Sequence, residues 1–222
     1  TVRMRKVFLL ALVSMLVVGV TTGAAAEKKY IIKLAHNNPA APDSLCHIGA
    51  IAFKEAVEKA TDRVEVRIFP ASQLGDQRVM FETMQMGTLE MAIMGDAPIA
   101  NWFPPINTIG IPYLFKDAQT AWKVLDGKFG QDLSAELLKT TGVRILAWGE
   151  NGFRHFTNGV REIKTPQDLR GLKIRVQENP MHVRMVSAMG GIPTPMAFSE
   201  VYTSLQQRVL DGQENPITII TA

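Results

Sequence analysis

A single cysteine, Cys46, stands among 222 residues, and one thiol cannot close an internal disulfide in any compartment. Aromatic residues are few, at 7%, and there is no excess of charge once the first residues are set aside. Arg3, Arg5 and Lys6 account for the formal +3, because without them the 24 Lys+Arg fall level with the 21 Asp+Glu. A neutral body has no basic field for nucleic acid or an anionic membrane surface, so the pI of about 9.0 points to no such partner. Chemical motifs are missing as well: there is no H-E-x-x-H, G-x-S-x-G, G-x-x-x-x-G-K-[ST] or G-x-G-x-x-G. His36, His47, His155 and His182 have no pair at metal-ligand spacing, so no metal, cofactor or enzymatic activity is expected. Cys46 reads as a small buried hydrophobe on a helix, with no histidine placed to activate it.

What remains is an ordinary globular composition, 46% hydrophobic and 20% charged, which excludes disordered and collagen-like chains. One long apolar run stands out, the 14 residues from Val7 to Val20. It follows the basic residues and precedes Ala24-Ala25-Ala26, the layout of a secretory signal peptide. A membrane-spanning helix needs ~20 apolar residues, so residues 1–26 are expected to be cleaved. Residues 27–222 would then lie in the periplasm with no direct membrane insertion.

Along that body, Tyr30 to Ala35 reads as a buried strand, and Leu45, Ile48, Ala52 and Ala56 recur at helical spacing behind a cap at Asp43 or Ser44. Val64, Val66 and Ile68 alternate as a strand, Asp76 opens a second helix, and Leu89 to Met94 forms a third strand. Strand, helix, strand, helix, strand implies a parallel sheet with crossover helices. A helix from Asp117 towards Lys139, interrupted near Gly127 and Gly130, and a strand from Val143 to Trp148 follow. Gly149-Glu150-Asn151-Gly152 marks a crossover between lobes. Beyond it the pattern gives strands at Phe153–Thr157 and Leu172–Val176, a capped turn at Thr165–Leu169, and helices at Pro180–Met189 and Phe198–Leu210. The expectation is a two-lobe α/β protein with mixed and parallel sheets flanked by helices, residues 27–149 in the first lobe and 150–222 in the second.

Ligands of open α/β sheets collect beyond the carboxyl ends of strands, which directs attention to His36, Asp96, Arg154, Asn179 and the residues after Leu210. In Lys173-Ile174-Arg175-Val176, Arg175 shares a face with Lys173. Taken alone, Arg175 and Arg154 both read as exposed cations.

Five stretches change that reading: P-A-S-Q-L-G-D at 70–76, N-G-F-R at 151–154, D-L-R-G-L-K-I-R-V at 168–176, P-T-P-M-A-F-S-E-V-Y at 193–202 and D-G-Q-E-N-P at 211–216. In series they resemble the solute-binding subunit of tripartite ATP-independent periplasmic (TRAP) transporters, dicarboxylate-binding type. The resemblance implies a Venus-flytrap receptor that closes on a small-molecule organic acid and delivers it to a sodium-coupled TRAP permease. It implies that Arg175 grips the ligand carboxylate, that Arg154 lies beside it, that Asn215 hydrogen-bonds the ligand and that Phe198 lines the pocket. His36 and Asp96 occupy first-lobe positions where the family varies its contacts. Two departures stand out: Gln177-Glu178-Asn179-Pro180 replaces a proline common directly after the anchor strand, and the chain stops at Ala222, which reads as C-terminal truncation with both lobes incomplete. A periplasmic sensor feeding a membrane kinase and a secreted hydrolase are the competing readings.

Overall fold

The structure, a computed structural model, describes residues 29–221, so the expected signal peptide at 1–26 lies outside the described residues. Strand β1 (Tyr30–His36) is followed by helix α1 (Leu45–Ala60), β2 (Val64–Phe69), α2 (Gln77–Gln85) and β3 (Met91–Ile93). Both β2 and β3 pair with β1 in parallel, in the order β2-β1-β3. Successive residues of a strand face opposite sides, and β1 uses both. Leu34 packs with Ala50 of α1 and Val66 on one face, while Ala35 packs with Met80 of α2 and Leu89 on the other. Asp76 caps α2 by accepting from Val79 N at 3.0 Å. Ser44 occupies the N-cap position of α1 but makes no cap bond, and its Oγ is buried without a partner.

Next come α3 (Asp96–Ile99), a 3-10 turn at Pro104–Gly110, α4 (Ala118–Leu125) and α5 (Lys128–Thr141). They enclose a core containing Phe81, Phe103, Ile106, Leu133 and Leu137. The interrupted helix read from the sequence is two helices, and Gly130 shows why. A Cβ there would lie 1.8 Å from Leu125 O, so only glycine lets the second helix start this close to the first. The strand expected at Val143–Trp148 does not form. Val143 and Ile145 do pack against this core while Arg144 and Leu146 face outward, but the segment has no ladder partner among the described residues. Alternation gives one face to bury; a strand also needs neighbours for its backbone.

The second sheet is mixed. It is built from β4 (Arg154–Asn158), β5 (Lys173–Val176), α6 (Pro180–Ala188), β6 (Ile192–Pro195), α7 (Phe198–Gln206) and β7 (Gly212–Pro216), with α8 (Ile217–Ile220) following. The spatial order is β4-β7-β5-β6, with β4 antiparallel to β7 and β5 parallel to both β6 and β7. A 3-10 turn at Pro166–Leu169 precedes β5 and is closed by the Thr165–Asp168 capping box. Leu169, Ile174, Val176 and Val186 form the core of this unit. Neither β6 nor β7 has a strand signature. β6 carries two prolines, which is permissible because it is the edge strand, and β7 reads as a polar turn yet lies inside the sheet.

The interior position of β7 makes Gly212 critical. A Cβ at this residue would stand 2.1 Å from Thr157 O and 2.7 Å from Asn158 Cβ, both on the facing strand β4. Gly212→Ala in the full-length mature protein is expected to cost about 1–3 kcal/mol in urea unfolding. A loss below ~0.5 kcal/mol would mean that β4 yields freely at this point.

Candidate ligand-binding cleft

The carboxyl ends of the parallel strands of both sheets converge on one cleft. From the first sheet it is lined by Asn37, just past β1, Ser72 beyond β2, Asp76 and Gln77 at the start of α2, and Pro98 in α3 beyond β3. From the second it is lined by Arg175 near the end of β5, then Gln177, Glu178, Met196, Ala197 and Phe198. Local backbone chemistry presents these groups. Ala71 and Ser72 both take the left-handed conformation, at φ 51° and 58°, which is uncommon without glycine. The strain is held by Ala71 N donating to Asn38 O at 2.8 Å and Ser72 N donating to His36 O at 3.1 Å. Ser72 Oγ is buried there without a hydrogen-bond partner. Gln77 Oε1 accepts from Gly95 N at 2.7 Å, fixing the segment that carries Pro98.

Arg175 is the buried cation of the cleft, 3% exposed, and so is no surface residue as it appears when read alone. Its Nε and Nη2 both donate to Met196 O, at 3.0 and 2.8 Å, and its guanidinium stands 5.9 Å from the centre of the Phe198 ring. Nη1 has no partner among the described residues. Burial pushes the guanidinium down to about 10, against the upward pull of Glu214, with Arg154 pushing down and Glu178 pulling up. It stays charged at neutral pH.

Arg154 is spent differently. Its Nε contacts Glu214 Oε2, and its Nη2 donates to Glu214 O at 2.7 Å, Glu214 Oε1 at 3.0 Å and Asn215 Oδ1 at 3.0 Å. On the other side of Glu214, His182 Nδ1 lies 3.4 Å from Oε1. Asn215 is buried, with Nδ2 donating to Gln213 Oε1 at 2.6 Å. Arg154 and Asn215 thus form one hydrogen-bonded group beside the cleft, outside its lining. His36 also turns away from the opening: it is fully buried and its Nε2 lies 3.1 Å from His47 Nδ1. Burial and then the neighbouring His47 hold its imidazole below the usual range, against a smaller upward effect from the Asn38 backbone. Asp96 opens α3 and rests its Oδ2 over Gly110, where a Cβ would be 3.3 Å away. Of the six sequence-predicted residues, Arg175 and Phe198 therefore line the cleft, and the other four lie outside its lining. Sequence reasoning missed Glu178, Gln177 and Ser72, although Ser72 lies within P-A-S-Q-L-G-D and the other two are the unusual residues after β5. No three His, Cys, Asp or Glu side chains among the described residues converge to hold a metal.

The two units meet through polar bonds close to the cleft. Asn179, 2% exposed, caps α6 and donates through Nδ2 to Ala97 O at 2.8 Å and Asn107 Oδ1 at 2.7 Å. Asn101 Nδ2 donates in return to Glu178 O at 3.0 Å.

Residues 35–222 match the bacterial extracellular solute-binding proteins, family 7. The chain belongs to that family. A TRAP periplasmic solute-binding protein from Polaromonas sp. JS666, bound to D-erythronate, superposes with a TM-score of 0.83 at 43% identity, over 87% of this chain and 63% of that one. The 2,3-diketo-L-gulonate-binding periplasmic protein YiaO of Escherichia coli K12 is 40% identical over 175 residues, 78% of this chain and 53% of its own length. The C4-dicarboxylate-binding periplasmic protein DctP of Rhodobacter capsulatus is 35% identical over 198 residues, 86% of this chain and 57% of its own. The chain thus spans between half and two thirds of the length of these relatives. The relatives are periplasmic TRAP solute-binding proteins, and this α/β chain shares the DctP-type family with them. No helix among the described residues is long and apolar enough to cross a membrane.

The Arg154–Glu214–His182 group sets the behaviour of the second sheet in acid. Burial alone would raise the Glu214 carboxyl, but the hydrogen bonds from His182 and Arg154, together with their charges, outweigh it and hold the group below the usual carboxylate range. A carboxyl depressed in the folded state adds stability above its unfolded value of about 4.3 and loses it as the pH falls through the folded value. Glu214→Gln in the full-length mature protein should therefore be less stable at pH 7, at the low end of the ~3–5 kcal/mol of a broken buried pair because Arg154 is a quarter exposed. Its stability should also decline less than that of the parent below pH about 4.3. Denaturant titrations showing parallel pH curves for the two proteins would contradict this.

Proposed function

We propose that this protein captures a small organic acid by its carboxylate at Arg175 and delivers it to a sodium-coupled TRAP permease, with no chemical step of its own. In this reading residues 27–149 and 150–222 are two lobes that close over the acid. The observation that carries it is the guanidinium of Arg175, buried in the cleft with Nη1 unpartnered. A guanidinium presents parallel donors that match a carboxylate and keeps its proton at any relevant pH. With Nε and Nη2 both donating to Met196 O, Nη1 and the outer hydrogen of Nη2 are left to pair with a carboxylate. Phe198 stands with its ring 5.9 Å from the guanidinium, and once the cleft closes each charge-assisted bond is worth ~1.5–3 kcal/mol. Arg154, Asn215 and the first-sheet groups His36 and Asp96 then act from behind the lining, holding the walls in place or reaching the acid once the lobes shut. The acids bound by the erythronate and diketogulonate relatives are consistent with a single carboxylate anchor.

Arg175→Lys keeps the charge but has one nitrogen, which cannot hold Met196 O and a ligand carboxylate together. Calorimetry on the full-length mature protein should show saturable binding of D-erythronate, L-gulonate or succinate. The acid bound most tightly should weaken at least ~10-fold in the variant, about 1.4 kcal/mol. Equal affinity in parent and variant would remove Arg175 from the site, and no binding of any carboxylic acid would reject the proposed function.

A further inference from the structure

Among the described residues, the charges of the cleft wall do not balance for a ligand with two acidic ends. Arg175 supplies the cation among the lining residues, whereas Asp76 and Glu178 supply two carboxylates. The nearest second arginine offers no free fork, because Nε and Nη2 of Arg154 are both held by Glu214, with Asn215 as a further acceptor. His182 approaches the same glutamate from the other side. Neutral hydrogen-bonding groups complete the wall: the amides of Asn37, Gln77 and Gln177, and the hydroxyl of Ser72, whose Oγ is buried with no partner.

We propose that the cleft selects acids carrying one carboxylate and several hydroxyl groups, and that Asp76 and Glu178 reject a second carboxylate. The inference rests on Arg175 being the carboxylate anchor. With that end of the ligand fixed, the remainder must lie along a wall of amides, one hydroxyl and two acids. Ionised carboxylates only accept hydrogen bonds, so ligand hydroxyls, which can donate, satisfy them. A ligand carboxylate in the same place brings like charges together in a partly desolvated cleft, a juxtaposition that suppresses wrong partners. Asp76 is held in position by its side chain, which caps the first turn of α2 through Val79 N. Glu178 is anchored through its backbone, whose carbonyl accepts from Asn101. A second carboxylate cannot displace Asp76 without breaking the helix cap.

The test compares D-erythronate, succinate and succinamate by calorimetry on the full-length mature protein. Succinamate has the size of succinate with one carboxylate replaced by an amide, so it separates charge from fit. The expected order is erythronate tightest, with both erythronate and succinamate at least ~10-fold tighter than succinate. In Asp76→Asn/Glu178→Gln the erythronate-to-succinate ratio should fall at least ~10-fold. Asparagine preserves the helix cap, and each single variant is measured as well, with thermal unfolding as the check on folding. Succinate binding as tightly as erythronate and succinamate would overturn the inference while leaving the Arg175 anchor intact. Unchanged discrimination in folded variants would remove Asp76 and Glu178 from that role. Failure of all three acids to bind would instead strike at Arg175 as the anchor.

Discussion

A guanidinium that must stay charged while almost wholly removed from water is the constraint around which the second sheet is organised. Taking a cation out of water costs several kcal/mol unless nearby dipoles and charges replace the lost hydration. Arg175 receives a partial replacement: one backbone carbonyl on its Nε edge, the face of Phe198, and the field of Glu214. Each support needs a particular piece of the fold. Met196 O arrives because β6 pairs with β5, Phe198 because α7 begins two residues later, and Glu214 because β7 lies on the other side of β5. Nη1 makes no hydrogen bond among the described residues, which is what makes Arg175 the candidate anchor for an anion.

Glu214 decides which arginine takes that role. Two guanidiniums close together repel, as the downward effect of Arg154 on Arg175 shows. One buried carboxylate cannot neutralise both by direct contact, and of the two arginines it contacts Arg154. The antiparallel register that sets Arg154 opposite Pro216 and Phe156 opposite Glu214 brings these side chains to one face. Arg154 is thereby tied to an acid through Nε and Nη2, whereas Arg175 touches no carboxylate among the described residues. Conversely, removing Glu214 would release a competitor for any anion in the neighbourhood.

The parts of this arrangement that announce themselves in the sequence are those governed by periodicity and capping. β1, α1, β2 and α2 follow their apolar spacing, and Asp76, Asn179 and Thr165 cap as their positions suggest. What escapes is whatever depends on a neighbour distant in the chain. β7, with the polar sequence G-Q-E-N-P, becomes a strand because β4 and β5 offer it ladders on both sides. The Val143–Trp148 segment has the right alternation and lacks such ladders. Arg175 and Arg154 look alike in sequence, and only a glutamate 60 residues beyond Arg154 separates their roles. The resemblance to TRAP receptors singled out Arg175 and Phe198, which line the cleft, whereas the presence of Asp76 and Glu178 in the same lining emerges only when the two sheets are brought together.

The joint between the sheets has a physical character that suits a closing cleft. Every apolar core lies within one unit or the other, and the bonds that cross between them, from Asn179 and Asn101, are hydrogen bonds. A hydrogen bond exchanged for water changes the free energy by only ~0.5–1.5 kcal/mol, whereas parting an apolar interface costs in proportion to its area. Opening along this joint would therefore leave the cores untouched and exchange a few amide contacts, together with the Met181 methyl that lies against Gly110, for hydration. Asn179 places that exchange four residues from Arg175, where it also holds the first turn of α6. In the proposed receptor, movement of the lobes and exposure of Arg175 would be linked through the short stretch Gln177-Glu178-Asn179, which carries one of the two acids proposed to exclude a second carboxylate.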